Sequence, residues 1–138
     1  MTGDCEGIDE VQAGSYAAMD WWYQDIRPEF QQAPTILTTV ISRPAPNLAI
    51  IDVGRKGVGG EWGPPRIKNM PGAEVVKFGS EEHIGIALPD GRQVRVGDQI
   101  EIIPSHGCTT SNLYRECIVH LNGTVTEIWP IEGSGILR

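Results

Sequence analysis

The chain has 138 residues, with 18 acidic and 11 basic side chains and a net charge of −7. This length fits one domain and leaves no room for two complete ones. We expect no nucleic acid and no membrane as a partner, because the negative charge would be repelled by a phosphate backbone or an anionic surface, and no apolar run approaches the ~20 residues that span a bilayer.

The first element in chain order is ambiguous between a helix and a strand. Apolar residues recur at helical spacing within residues 15–32, and Pro28 would disturb any continuation. The alternative is a strand through residues 16–20, followed by a short helical turn at residues 21–23. We favour this alternative because Gly14 and the aromatic cluster suit a strand that leaves a turn, with Gly14 at positive φ.

The rest of the chain has the pattern of short strands. Its apolar runs are rich in Val and Ile, are separated by turn residues, and several of them alternate with polar residues, which is typical of strands with one buried face. The runs are residues 36–41, 48–53, 73–78, 84–88, 93–103, 117–121 and 125–131. Val94 and Val96 belong to the alternation in the fifth run, which has a possible irregularity at Gly97-Asp98.

Turn residues between these runs indicate the fold class. Pro89-Asp90-Gly91 and Asn122-Gly123 each lie between two apolar runs. The second predicts a hairpin, because both central positions of a type I′ turn need positive φ. Six to nine short strands with tight turns predict one all-β domain over residues 1–138, an antiparallel barrel or sandwich with at most one short helix.

The most informative polar segment follows the strand predicted to end at residue 103. His106 and Cys108 are two residues apart, so an extended chain would place both side chains on one face, about 6–7 Å apart. An imidazole nitrogen and a thiolate suit Zn²⁺ or another borderline first-row metal. Two ligands do not close a tetrahedron, so a loop without a metal is the alternative. With a metal bound, two open positions suit a catalytic ion better than a structural one.

Two further groups of polar residues are candidates for chemistry. His83 follows Glu81 and Glu82 and could act in an acid–base pair, although a structural histidine that hydrogen-bonds a neighbour is the favoured interpretation. Arg55 and Lys56 begin a Gly-rich stretch that is typical of a loop approaching another surface. Nothing near Lys56 predicts the apolar site that a Schiff-base lysine needs.

The cysteines indicate the compartment. Cys5, Cys108 and Cys117 are odd in number and widely spaced, which is a poor disulfide framework. The acidic start also lacks the basic and apolar regions of a secretion signal. We therefore expect a reducing, cytoplasmic setting, and we interpret the sequon at Asn122 as a turn and not as a glycosylation site.

Four segments together resemble one family. They are residues 10–20 (EVQAGSYAAMD), 51–56 (IDVGRK), 80–83 (SEEH) and 104–110 (PSHGCTT). In this order they resemble the C-terminal domain of the D-threonine aldolase and D-serine dehydratase family. Enzymes of that family depend on pyridoxal phosphate and a divalent metal, and have the two-domain fold of alanine racemase. The resemblance implies an antiparallel β-barrel-like domain.

The resemblance also implies roles for individual residues. His106 and Cys108 match the metal ligands beside the cofactor, with Zn²⁺ expected first and Mn²⁺ or another divalent ion as alternatives. Tyr16 matches a position near the domain interface, and we expect it, with Asp20 and His83 as weaker candidates, to support the catalytic site. In addition, Thr2 and Gly3 resemble the end of a glycine-rich loop that binds the cofactor phosphate.

The chain also departs from the family pattern. The family's N-terminal (β/α)8 barrel is missing, and residues 1–9 resemble only its tail. None of Lys56, Lys68 and Lys77 matches the family's cofactor lysine. We therefore expect the isolated chain to be inactive as a lyase, to need a barrel partner, and to self-associate through the surface where a barrel would dock. The alternative is a stand-alone, non-catalytic β-barrel module for binding or assembly.

Overall fold

A computed structural model provides the structure of the chain and describes residues 4–135. Short strands make up most of the regular structure, which confirms the predicted all-β class, although two short α-helices are present where at most one was expected. The helical elements are a 3-10 helix at Ser15–Ala17, α1 at Trp21–Ile26 and α2 at Gly107–Ser111. The strands are β1 (Ile36–Ala45), β2 (Leu48–Ile51), β3 (Arg66–Ile67), β4 (Glu74–Lys77), β5 (Ile84–Ala87), β6 (Gln99–Ile103), β7 (Glu116–Leu121) and β8 (Thr124–Pro130).

Six of the strands form one antiparallel sheet in the order β3-β6-β1-β2-β5-β4. The two edge strands, β3 and β4, approach each other, so the sheet curves almost into a barrel. Its inner face is built from the apolar side chains that alternate along the strands. Val40, Ile51, Ile84, Ile86 and Ile102 are all completely buried in this core.

The remaining two strands form a separate hairpin. Asn122 and Gly123 have φ angles of 50° and 80°, as the predicted type I′ turn requires. The hairpin is exposed along most of its length. Its apolar side chains Leu121 and Trp129, for example, are 67% and 54% exposed. In the described part of the chain, no helix is long and apolar enough to cross a membrane.

The structure contradicts the predicted strand at residues 16–20. This segment forms one turn of 3-10 helix and then reaches Asp20, whose side chain accepts a hydrogen bond from the Tyr23 backbone N–H at 3.0 Å. Asp20 is therefore an N-cap, and the helical turn predicted at residues 21–23 extends to Ile26. Gly14 has a φ of −131°, so positive φ at this position was also a wrong prediction.

Two other segments differ from the expected strand pattern. Gly97 has a φ of 95°, and Asp98 closes a turn by donating its backbone N–H to the Arg95 carbonyl at 3.1 Å. The irregularity predicted here is thus a chain reversal, which leaves Val96 62% exposed and delays the start of β6 to Gln99. The two-residue strand β3 was not predicted, because two residues are too few to show an alternation.

Candidate functional site

The strand β6 leads directly into the candidate metal site. After Ile103 the chain passes through the buried residues Pro104 and Ser105 and reaches His106, the N-cap of α2. Cys108 lies in the first turn of α2 and is exposed. The chain is extended at His106 but turns into a helix at Gly107, so the placement of both side chains on one face of an extended chain does not apply. The two candidate ligands therefore lie at the start of α2, where the sequence predicted a loop.

Asp20 joins the first helix to the start of α2. Its side chain is almost fully buried, with 3% of the residue exposed. One carboxylate oxygen, Oδ1, caps α1, while Oδ2 accepts a hydrogen bond from the Gly107 backbone N–H at 2.9 Å. The same Oδ2 lies 3.7 Å from Nδ1 of His106. One carboxylate thus fixes the position of His106 relative to α1.

The imidazole of His106 is held between this carboxylate and an aromatic ring. Its centroid lies 4.0 Å from that of Trp62, with 59° between the ring planes. Trp62 in turn contacts Trp22 and Tyr23, at centroid distances of 5.7 and 5.4 Å. Nδ1 of His106 is buried, and no hydrogen-bond partner for it lies within the described residues. The contact between this aromatic cluster and His106 is a finding of the structure.

The Gly-rich loop after β2 packs against α2, as the sequence predicted for a loop that approaches another surface. The Gly59 backbone N–H donates to Oγ1 of Thr110 at 3.0 Å. A Cβ atom on Gly59 would lie 2.4 Å from Oγ1 of Thr109, so this contact requires glycine. The Thr109 hydroxyl donates to Glu61 at 2.7 Å and ties the far end of the loop to the helix.

An open cleft of about 580 Å³ lies between this loop and α2. Cys108 and Thr109 line it from the helix, and Arg55 and Glu61 line it from the loop. Val58 and Leu113 contribute apolar surface. The cleft therefore contains a thiol, one cationic group and one anionic group along a partly apolar surface.

The neighbouring segment at residues 80–83 forms ion pairs with Lys56 but makes no hydrogen bond or ion pair with His106. Nζ of Lys56 lies 2.9 Å from Glu81 and 3.2 Å from Glu82. Hydrogen bonds to these carboxylates raise the pKa of Lys56, which is opposite to the shift that a Schiff-base lysine needs. His83 is exposed and makes no hydrogen bond to any described residue, so the structural hydrogen bond expected for it is absent.

Among the described residues, Tyr16 makes no hydrogen bond or ring contact with His106 or Cys108. Tyr16 is 54% exposed in the 3-10 helix, where its ring lies 5.9 Å from that of Phe30. Thr2 and Gly3 lie outside the described residues. The catalytic roles of Tyr16 and His83, and the cofactor role of Thr2 and Gly3, therefore stay predictions.

The residues at the start of α2 fit a metal in part. Imidazole and thiolate are donors that zinc prefers, and the buried, unpartnered nitrogen of His106 faces a carboxylate, as second-shell partners of metal-bound histidines do. Within residues 4–135, no three His, Cys, Asp or Glu side chains are grouped to hold an ion. Any metal here would thus need further ligands from solvent, substrate or another part of the protein.

The lysines do not fit the role of a pyridoxal phosphate anchor. Lys68 is paired with Glu101 at 2.7 Å, and this hydrogen bond lowers the pKa of Glu101. Lys77 lies on the exposed strand β4, and Lys56 is paired as described above. None of them lies in a buried apolar pocket that would favour a neutral amine.

Comparison with known proteins identifies the family. The family model described as "Putative serine dehydratase domain" matches residues 33–120. The chain belongs to this family. The crystal structure of D-threonine aldolase from Filomicrobium marinum superimposes with a TM-score of 0.83 and 31% identity, covering 94% of this chain and 37% of that one. The resemblance to this family and to its alanine-racemase-like fold is therefore confirmed.

Curated relatives include long and short proteins. A D-threonine aldolase of Arthrobacter sp. is 35% identical over 94% of this chain and 35% of its own length. A 3-hydroxy-D-aspartate aldolase of Paracoccus denitrificans is 32% identical over 91% of this chain and 34% of its own. The chain thus spans about a third of the length of these two relatives. An uncharacterized protein of Mycobacterium tuberculosis is 28% identical over 75% of this chain, but over 84% of its own length.

Proposed function

We propose that the chain is the metal-binding C-terminal β-domain of a pyridoxal-phosphate-dependent lyase that acts on β-hydroxy D-amino acids. The observation that carries this proposal is the pair of His106 and Cys108 at the start of α2, beside the buried carboxylate of Asp20. The substrate class is that named for the long relatives, a D-threonine aldolase and a 3-hydroxy-D-aspartate aldolase. Within this proposal, the complete enzyme is of either the D-threonine aldolase type or the D-serine dehydratase type.

In this proposal, His106 and Cys108 hold a divalent metal, with Zn²⁺ first and Mn²⁺ as an alternative. Nδ1 of His106 faces Asp20, which leaves Nε2 as the ligand nitrogen. Asp20 then acts as the carboxylate that orients a metal-bound histidine, and Trp62 restricts rotation of the ring. Cys108 supplies the thiolate from the exposed first turn of α2. Substrate oxygen or water completes the coordination.

The bound metal would supply Lewis-acid polarisation of the substrate's β-hydroxyl group. Pyridoxal phosphate, when bound in the complete enzyme, supplies an electron sink for the bond broken at the α-carbon. The chain itself orients the imidazole and forms one wall of the cleft beside Cys108. Because no lysine of the described chain fits the cofactor anchor, we propose that a (β/α)8 barrel provides it and that this chain is inactive alone.

The proposal also includes the binding partners of this chain and its location in the cell. A barrel domain or subunit is the expected main partner, and the exposed apolar side chains of the β7–β8 hairpin support self-association in its absence. The free thiols of Cys108 and Cys117 support a reducing, cytoplasmic location.

Metal binding by the isolated chain tests this assignment. After loading with Zn²⁺ and dialysis, the wild-type chain should retain about one ion, measured by elemental analysis. Both Cys108→Ser and His106→Gln should lower the zinc affinity by at least about 10- to 100-fold, the loss typical of removing an outer-shell partner, because each removes a proposed ligand itself. Cys117→Ser and His120→Gln are matched controls on the exposed hairpin and should retain zinc. Equal zinc retention by all four variants would overturn the ligand assignment.

A second candidate function is a stand-alone, non-catalytic β-barrel module. The short mycobacterial relative favours it, because this chain covers 84% of that protein, which leaves little length for a second large domain. Co-expression with the barrel region of a long relative separates the two candidates. The lyase proposal predicts that the pair binds pyridoxal phosphate and cleaves D-threonine or D-serine. A pair that docks, retains zinc and stays inactive with these substrates would favour the second candidate.

A further inference from the structure

Arg55 is the cationic group in the cleft beside Cys108. Its guanidinium carbon lies 5.1 Å from the centroid of the Phe78 ring, so the side chain is supported from one side by a cation–π contact. Its backbone N–H donates to the Ser80 carbonyl at 3.0 Å, which fixes the start of the loop. A Cβ atom on Gly60 would lie 3.4 Å from Nη1 of Arg55 and 2.2 Å from the Phe78 ring. Glycine at position 60 therefore leaves the space that the guanidinium and the ring occupy.

The charge of Arg55 is not neutralised within the described chain. No carboxylate among residues 4–135 lies within 4.0 Å of its guanidinium, whereas the adjacent Lys56 is paired with both Glu81 and Glu82. A guanidinium presents its N–H groups in a planar fork that matches the two oxygens of a carboxylate. The side chain is thus supported on an aromatic face, lines a cleft and retains its hydrogen-bond donors for a ligand.

Glu61 lines the same cleft and limits which ligands can bind there. One of its carboxylate oxygens accepts the Thr109 hydroxyl at 2.7 Å, and the side chain is exposed to solvent. Its negative charge opposes an anion in the cleft, although exposure to water screens that repulsion. A carboxylate ligand should therefore bind better when this charge is removed.

We propose that the cleft binds the side-chain carboxylate of an acidic β-hydroxy amino acid through Arg55. This inference rests on the proposed function, because Cys108, one of the two proposed metal ligands, lines the same cleft. In a 3-hydroxyaspartate, the hydroxyl group and the side-chain carboxylate are attached to the same carbon atom. A hydroxyl directed to a metal at Cys108 would thus place the carboxylate beside it, within the cleft that Arg55 lines. D-threonine has a methyl group at this position and gains nothing from Arg55.

The test uses the intact chain, loaded with zinc and also free of metal. We would follow the Nε–H resonance of Arg55 by NMR during titration with threo-3-hydroxy-D-aspartate or with D-threonine. The resonance is assigned by its absence from the spectrum of Arg55→Gln. In the zinc-loaded chain, the hydroxyaspartate should bind about tenfold more tightly than D-threonine, as expected for one charge-assisted hydrogen-bond pair. Succinate titrated into the metal-free chain tests carboxylate binding without the metal, and zinc content is measured in every sample.

Three variants distinguish this proposal from its alternatives. Arg55→Gln should abolish the preference for hydroxyaspartate, measured by calorimetry, while zinc retention stays unchanged. Lys56→Gln removes the same charge next to the cleft and should preserve the preference, because Lys56 is held by Glu81 and Glu82. In addition, Glu61→Gln should raise the hydroxyaspartate affinity about two- to fivefold.

The outcomes separate this inference from the proposed function. If zinc is retained but the preference is absent, or survives in Arg55→Gln, the role of Arg55 is wrong and the metal assignment stands. If zinc is not retained, the metal assignment fails, and the titration of the metal-free chain with succinate then tests whether the cleft binds a carboxylate. A succinate-dependent shift of the Arg55 resonance supports a carboxylate site, and no shift overturns it.

Discussion

At the scale of single residues, Asp20 links the first helix to the candidate metal site. Its two oxygens accept hydrogen bonds from the backbone of Tyr23 and of Gly107, and it is 3% exposed. We expect Asp20→Ala to lower the free energy of unfolding by about 2–3 kcal/mol, because it removes a helix cap and leaves the partly buried N–H of Gly107 without its acceptor. Urea denaturation of the isolated chain measures this loss.

A carboxylate on the same helix provides the control for that prediction. Asp25 binds Arg66 through two hydrogen bonds, at 2.7 and 2.6 Å, but its side chain is 52% exposed. Surface ion pairs contribute about 0–1 kcal/mol, so Asp25→Ala should have a much smaller effect. Equal losses for the two variants would contradict the structural role assigned to Asp20.

The candidate site was only partly predictable from single residues. The spacing of His106 and Cys108 suggested a ligand pair, because residue type and separation are visible in the sequence. The hydrogen bond between Gly107 and Asp20 spans 87 positions, and the four strands β3 to β6 lie between Trp62 and His106 in the chain. Such contacts depend on how α1, the Gly-rich loop and α2 pack together, and no local pattern encodes them.

At the scale of elements, the loop that carries Arg55 is fixed by a close backbone approach. A Cβ atom on Gly54 would lie 2.4 Å from the backbone atoms that join Glu81 and Glu82. Because backbone atoms cannot rotate away as a side chain can, we expect Gly54→Ala to lower the free energy of unfolding by about 3 kcal/mol. Gly79→Ala is the control, since a Cβ atom on Gly79 would meet nothing within 4 Å. Urea denaturation should show Gly79→Ala close to wild type, and similar midpoints for the two variants would disprove the close approach.

The elements were predicted best where the chain alternates. All seven apolar runs contain a strand, because burial of one sheet face leaves a period of two in the sequence. Prediction failed where a local hydrogen bond overrides this period. Asp20 caps a helix after the segment predicted as a strand, and Asp98 closes a turn within the fifth run. In both places, an Asp side chain accepts a hydrogen bond from a nearby backbone N–H and thereby stabilises a helix cap or a turn in place of a strand.

At the scale of the whole molecule, one part of the structure lacks the packing that stabilises the rest. The six-stranded sheet encloses a core with many fully buried side chains, whereas the β7–β8 hairpin is exposed on both faces. A two-stranded hairpin alone is at best marginally stable in water, and exposed apolar patches of this kind mark interaction surfaces. The hairpin is therefore the part of the chain for which a partner would contribute most to stability.

Self-association through this hairpin is the corresponding prediction. Ile118 and Ile128 pair across the two strands and are 48% and 57% exposed, so they share one apolar face. Sedimentation velocity of the wild-type chain should show an average mass that rises with concentration. The double variant Ile118→Thr, Ile128→Thr keeps β-branched residues in the strands but removes apolar surface, and it should stay monomeric. Leu37→Thr removes an equally exposed apolar side chain, 62% exposed on β1, and should associate like wild type. Identical sedimentation of the double variant and wild type would show that the hairpin does not mediate association.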